Sequence, residues 1–214
     1  MGLLSWLFGK RRRDLPVSVW LDEPNRIAGL VRTIQADLAA DRTVVLVAHF
    51  PQGLIDAATA LAAAGVPATT LAKWRRPDPG PQVLAILAKA LPQHDPAAAA
   101  PTTPPAAGRY AVRAAELHVR GDENDRVPHF LDTLPKDTEA SAFLSFDSQT
   151  MTTFASPWVR TMLEKLGMRP DAPIDSPMVT RGLKKALAKL EQRVVGNQPA
   201  DSLADWMQRN LRHE

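Results

Sequence analysis

"TVVLVAHF", residues 43–50, is an unbroken apolar run rich in β-branched side chains. Such a run is typical of a strand buried on both faces, and strands of that kind belong to parallel sheets covered by helices on either side. Upstream, "LPVSVWL" (15–21) reads as a short strand. Asp22 and Pro24 then open a helix in which Ile27, Leu30, Val31, Ile34 and Leu38 recur at helical spacing. Downstream, Gly53 to Ala64 reads as a second helix, with Gly65 in the position that ends one. "VPATTLA" (66–72) is the next short strand. Strand, helix, strand, helix, strand at this spacing implies a parallel α/β sheet.

Further on the pattern loosens. "PQVLAILAKAL" (81–91) fits a buried strand or a short helix, and periodicity does not separate the two. "PQHDPAAAAPTTPPAAG" (92–108) is dominated by Pro and Ala, buries little, and is expected to be a flexible insert. "RYAVRAAELHV" (109–119) and "SAFLSF" (141–146) read as strands. The remainder is helical. Ser156 and Pro157 open "SPWVRTMLEKLGM", with Val159, Met162, Leu163 and Leu166 on one face. Ser176 and Pro177 open a second helix with a stripe of Val179, Leu183, Leu187, Leu190 and Val194. A last helix, "DSLADWMQRNLR" (201–212), carries Leu203, Trp206 and Met207. The expected organisation is a stub over 1–14, an α/β domain over 15–150 holding the insert 92–108, and a helical extension over 151–214.

The 214 residues are 45% hydrophobic and 23% charged, the balance of an ordinary globular chain. There are no cysteines, which excludes disulfides, thiolate zinc sites and cysteine nucleophiles and fits a reducing, cytoplasmic setting. The net charge of +3 is far from the basic stripe of a dedicated nucleic-acid binder. The stub "MGLLSWLFGKRRR" puts Leu3, Leu4, Trp6, Leu7 and Phe8 before Lys10, Arg11, Arg12 and Arg13. A signal peptide has the opposite order. An amphipathic stub of this kind suits the surface of an anionic membrane, or docking on the protein's own body.

Most motifs of catalysis are missing. There is no G-x-x-x-x-G-K-[ST] phosphate cradle, no G-x-G-x-x-G and no G-x-S-x-G. Histidines 49, 94, 118, 129 and 213 have no metal-ligand spacing. Asp122, Glu123 and Asp125 read as a solvated loop or helix start, with paired acid–base carboxylates as the alternative. "KWRRP" (73–77) sets Trp74 among Lys73, Arg75 and Arg76, which suits a surface loop or a contact with phosphate or nucleic acid.

From Phe143 the chain reads "FLSFDSQTMTTFASPWVRTMLEKLGMRPDAPIDSPMVTRGLKKALAKLEQR". This run resembles SecA, the motor ATPase of bacterial preprotein translocation, where its second RecA-like motor domain leads into the helical scaffold. The strand "FLSFD", the helix ending "LEKLGM", the turn at Pro173–Ile174 and "MVTRGLKKALAKLEQR" carry the likeness. "ADWMQRNLR" is similar to the start of the scaffold helix, and "ELH" at 116–118 to a Glu-x-His of the family. The segment from Ile27 to Lys73 follows the same order of helix and strand. The resemblance implies a single RecA-like parallel sheet flanked by helices, with a C-terminal helical extension.

It also implies a lost activity. The stretch before the strand at 141 corresponds to a Gly- and Arg-rich motif whose arginines face the nucleotide's γ-phosphate. Here it reads "RVPHFLDTLPKDTE", with Arg126 alone near its start. The P-loop and the Walker B acid of a first motor domain are not in this sequence, and arginine fingers are worth orders of magnitude in phosphoryl transfer. The expectation is a pseudo-ATPase with no cofactor that acts by binding a protein: a translocase component, a SecA-like ATPase or a client chain. A nucleic acid is disfavoured, and contact with an anionic membrane at the inner face would run through the stub. The loop of Arg126, His129, Phe130 and Leu131 is the expected partner site, with the 177–194 stripe second. The alternatives are half of an ATP site completed in trans by a P-loop partner, and a helicase-like nucleic-acid contact through Lys73, Arg75 and Arg76.

Overall fold

The computed structural model describes residues 15–78, 80–92, 108–152, 169–174 and 177–212. The expectations for the stub, for the interior of the Pro/Ala insert and for the helix at 156–168 fall outside these residues, as does the Ser176 cap.

β2 (Arg42–Ala48) sits near the middle of a six-stranded sheet in the order β1-β6-β5-β2-β4-β3. The other strands are β1 (Val17–Trp20), β3 (Ala68–Leu71), β4 (Gln82–Leu87), β5 (Arg109–Ala114) and β6 (Glu139–Ser145), and every pairing is parallel. The ambiguous segment at 81–91 splits: β4 ends at Leu87 and a 3-10 turn follows over Ala88–Ala90. Residues 44 to 48 are fully buried, as the opening run requires. Their side chains alternate. Val44, Leu46 and Ala48 meet Leu30, Ile34, Leu54 and Leu61 on one face, while Val45 and Val47 meet Ile86, Val112, Phe130 and Leu131 on the other.

The first face is covered by α1 (Glu23–Ala39) and α2 (Pro51–Ala63). Asp22 caps α1 by accepting the N–H of Asn25 at 2.8 Å, and Pro24 stands in the first turn. α2 ends where Gly65 takes φ +75°, a conformation that favours glycine. The second face is covered by the short helix α4 (Arg126–Leu131), preceded by the one-turn helix α3 (Gly121–Asn124), and a further turn, α5, spans Gln149–Thr152.

The C-terminal helices α6 (Pro177–Glu191) and α7 (Leu203–Asn210) close the carboxyl end. Leu183 is buried among Val19, Leu144 and Ile174, with Val179 and Leu187 packed beside them. Leu190 is buried with Trp206 and Met207. The stripe offered as a second partner site is therefore occupied by the protein's own core. Ser202 accepts the N–H of Asp205 at 3.2 Å and caps α7.

A buried ion-pair network ties α1 to the sheet. Arg113 donates Nε to Asp37 Oδ2 at 2.7 Å and Nη2 to Asp37 Oδ1 at 2.8 Å, and both residues are at most 5% exposed. Arg42 donates to Asp37 Oδ1 at 2.9 Å, and Glu139 faces both arginines. The fork geometry of guanidinium on carboxylate is the strong form of this pair.

Candidate functional site

In an open parallel sheet the loops at the carboxyl ends of the strands converge, and ligands bind there. Here those loops build a cleft of about 220 Å³. Glu23 and Arg26 come from the first turns of α1, Gly53 and Asp56 from α2, Glu116 from the end of β5 and Asp147 from the end of β6. The segment before α7 covers it, with the N–H of Gln52 donating to Asp201 O at 2.9 Å.

Glu116 is the residue around which the cleft is organised. Its Oε1 accepts the N–H of His49 at 3.0 Å and of Phe50 at 2.9 Å, the first free donors of the β2–α2 turn. Phe50, the N-cap of α2, supplies no side-chain cap, so a carboxyl 66 residues away performs that role. Gly53 leaves room for it, since a Cβ at that position would lie 2.6 Å from Oε1 and the Glu116 side chain would have to shift. Burial pushes the Glu116 carboxyl up to about 7, against the lowering effect of the two N–H groups and of Arg26. Arg26 donates to Ala115 O and pairs with Glu23, whose Oε2 also accepts the Ser145 hydroxyl at 2.9 Å. The N–H of Glu23 donates to Asp147 Oδ2 at 3.2 Å. The cleft thus holds four carboxyl groups and one guanidinium that is already paired.

The turn after Glu116 folds over an aromatic cluster. The His118 ring stacks on Phe50 at 5.1 Å and meets Trp206 edge-on at 4.5 Å and His49 at 5.6 Å. Its Nδ1 accepts the N–H of Arg120 at 3.0 Å. Burial lowers His118 to about 4 and His49 to about 3, helped at His49 by the charges of His118 and Arg126. Both are therefore neutral imidazoles at neutral pH. β5 was expected to run to 119 and stops at Ala114, because the segment must turn to bring Glu116 under α2.

Two of the four side chains of the expected partner loop face the core. Phe130 is fully buried, Leu131 is 1% exposed, and Trp74 packs edge-on against Phe130 at 4.7 Å. These side chains offer nothing to a partner. Val127, Phe130, Leu131 and Leu134 fall at the i, i+3, i+4, i+7 positions of a helix face, and that spacing was the overlooked signal. Arg126 is partly buried, with Nε 2.6 Å from Glu123 Oε2, and His129 is partly exposed. Asp122 is held below its ordinary range by the hydrogen-bonded Arg120, so the acidic run forms local ion pairs. Lys73, Arg75 and Arg76 are exposed beyond β3. Glu116 was marked in the sequence only through its Glu-x-His likeness. A charged residue inside the apolar run "AVRAAELHV" was the direct sign of a buried role.

The parallel sheet, its flanking helices and the helices that follow make this a RecA-like α/β domain with a helical extension. No family model matches the chain. The protein translocase subunit SecA of Symbiobacterium thermophilum is 38% identical over 55 residues, covering 26% of this chain and 6% of that protein. SecA of Koribacter versatilis is 43% identical over 56 residues, with the same shares. SecA of Thermus thermophilus is 41% identical over 51 residues, 24% of this chain and 5% of that protein. These matches support a distant relation to the SecA superfamily, and the matched stretch spans about 6% or less of these relatives' length. Among solved structures, the C-terminal domain of a possible DNA helicase from Lactobacillus plantarum WCFS1 is 17% identical. That match has a TM-score of 0.41 and covers 64% of this chain and 77% of that one.

Proposed function

We propose that this chain is a non-catalytic, SecA-related module that works by binding a protein of the translocation machinery. The observation that carries this reading is the position of Glu116. Free N–H groups at a strand-to-helix turn are a ready anion site, the place where nucleotide phosphates are cradled. In this chain those two donors are taken by the protein's own carboxyl. Glu23, Asp56 and Asp147 line the same cleft and would repel a polyphosphate. Arg120 and Arg126, the cations nearest the sequence of the lost γ-phosphate motif, are paired to Asp122 and Glu123. The same pairing weighs against a half-site completed in trans, which would need an available guanidinium at this edge.

The test is a calorimetric titration with Mg-ATP up to about 1 mM, together with phosphate release by the chain alone and mixed with SecA of its own host. The expected result is no binding heat, no turnover by the chain, and direct binding to the translocase in a purified two-component assay. A micromolar dissociation constant for ATP, equivalent to roughly 8 kcal/mol, or turnover above a buffer blank would overturn the reading. Among the described residues no helix is long and apolar enough to cross a membrane.

A further inference from the structure

The two edges of the sheet are finished differently. At β1 the outer edge is occupied: Ile174 forms an antiparallel bridge with Val19, and its N–H donates to Val19 O at 2.7 Å. At β3 the strand pairs with β4 on one side, and no described segment pairs with the other. β3 reads Ala-Thr-Thr-Leu, with Thr69 and Thr70 exposed and no charge or proline inside the strand. Pro67 and Lys73 flank the strand and keep it to four residues, and within it the main-chain groups of the outer edge are a template for another short strand.

The surroundings of this edge define what it would accept. Thr69 and Leu71 project to one face and are in register with Leu84 and Ile86 of β4. On that face lies a cavity of about 380 Å³ walled by Leu71 and Leu84 below and by Arg75, Arg76 and Pro77 at the rim. Lys73, Arg75 and Arg76 follow the strand directly and are exposed, with Asp78 as the nearby acid. Every second side chain of an added strand would fall on the cavity side. We propose that the open edge of β3 docks an extended acidic segment of a partner protein, which joins the sheet as a seventh strand and sets an acidic side chain against Arg75 and Arg76. Main-chain hydrogen bonds supply the binding, and the cations choose the sequence. This rests on the reading of the chain as a protein-binding module, and it is independent of whether the partner is SecA.

The experiment uses the full chain and a fluorescein-labelled octapeptide of alternating Glu and Val, followed by anisotropy. Three controls accompany it: the Lys/Val counterpart, the Glu/Val peptide with its four central amides N-methylated, and a single-stranded DNA oligonucleotide. The expected result is saturable binding of the Glu/Val peptide. N-methylation should abolish it, and R75E/R76E should weaken it at least about tenfold, since two charge-assisted contacts are reversed in sign. Both arginines are exposed, and a thermal melt of the variant checks that the fold is kept. Equal binding of the N-methylated peptide would overturn the proposal, because charge alone would then suffice. So would absence of binding at about 1 mM, tighter binding of the DNA, or self-association that consumes the edge in sedimentation. ATP turnover would refute the proposed function without touching this result, and loss of peptide binding would refute this inference without restoring nucleotide chemistry.

Discussion

Replacing Glu116 by Gln should double the acid sensitivity of the fold between about pH 4.5 and 6.5. Burial holds the Glu116 carboxyl at about 7 against an ordinary 4.5. The folded chain therefore keeps a proton that the unfolded chain releases. That contribution is whole below the unfolded value and is lost as pH rises through 7. Burial holds His49 at about 3 and His118 at about 4 against an ordinary 6.5. For these two the unfolded chain takes up protons that the folded chain refuses, so their contribution is present above 6.5 and lost as pH falls. Between these limits the carboxyl cancels one of the two imidazoles. Each uncancelled proton gives a slope of about 1.4 kcal/mol per pH unit. The wild type should gain roughly 1.4 kcal/mol per unit as pH rises, and Glu116→Gln roughly 2.7. Over the range from 4.5 to 7 the difference reaches about 3 kcal/mol in favour of the variant, or about 6–12 °C in melting temperature for a chain of this size. Gln still accepts both main-chain N–H groups, so the cap of α2 is preserved. Urea unfolding at half-unit pH steps reads the slopes, with an unchanged m-value as the check on two-state behaviour. Asp122 is held low and titrates below this window. Parallel profiles for wild type and Glu116→Gln would refute the account of the buried carboxyl.

Asp37→Asn should destabilise the chain by about 3 kcal/mol or more, because the buried Arg113 would lose its bidentate carboxylate and keep only the half-exposed Glu139 as a counter-charge. The corresponding fall in melting temperature is about 6–20 °C, and Asp37→Leu with Arg113→Met should recover most of it. A fall of less than about 3 °C for Asp37→Asn would show that the network carries little. Deleting residues 94–107 should prevent β5 from pairing. The registers place Leu87 six residues beyond Arg109 along β2, about 20 Å away, and the 3-10 turn and buried Leu91 are held at that far end. Pro92, Gln93 and Gly108 alone reach at most about 14 Å. A Gly/Ser segment of equal length should keep the native circular dichroism and melting cooperativity, and a folded deletion variant would refute the geometry.

Several locally encoded features were legible, although the helical spacing of Val127, Phe130, Leu131 and Leu134 was not used. The β-branched run at 43–50 became the buried β2, Asp22 became the α1 cap, and Gly65 took the positive φ that ends α2. These features are encoded by contiguous residues, through side-chain periodicity and local hydrogen bonding. Non-local features were not legible in the same way. Periodicity left 81–91 undecided until the pairing of β4 with both β2 and β3 set its strand. Phe130 and Leu131 sit in a polar stretch, and their burial was decided by the open face of the sheet that α4 has to cover. Locally, Glu116 shows only as a charge inside an apolar run, which marks burial but not a partner. It becomes a helix cap because β5 lies beside β2, which brings position 116 under the first turn of α2. The edge position of β3 likewise follows from strand order, with Ile174 closing the opposite edge. Pattern along the chain tells each segment what conformation it prefers and which face is apolar. The neighbours that satisfy a buried carboxyl or cover an edge come from distant segments, and only packing brings them together.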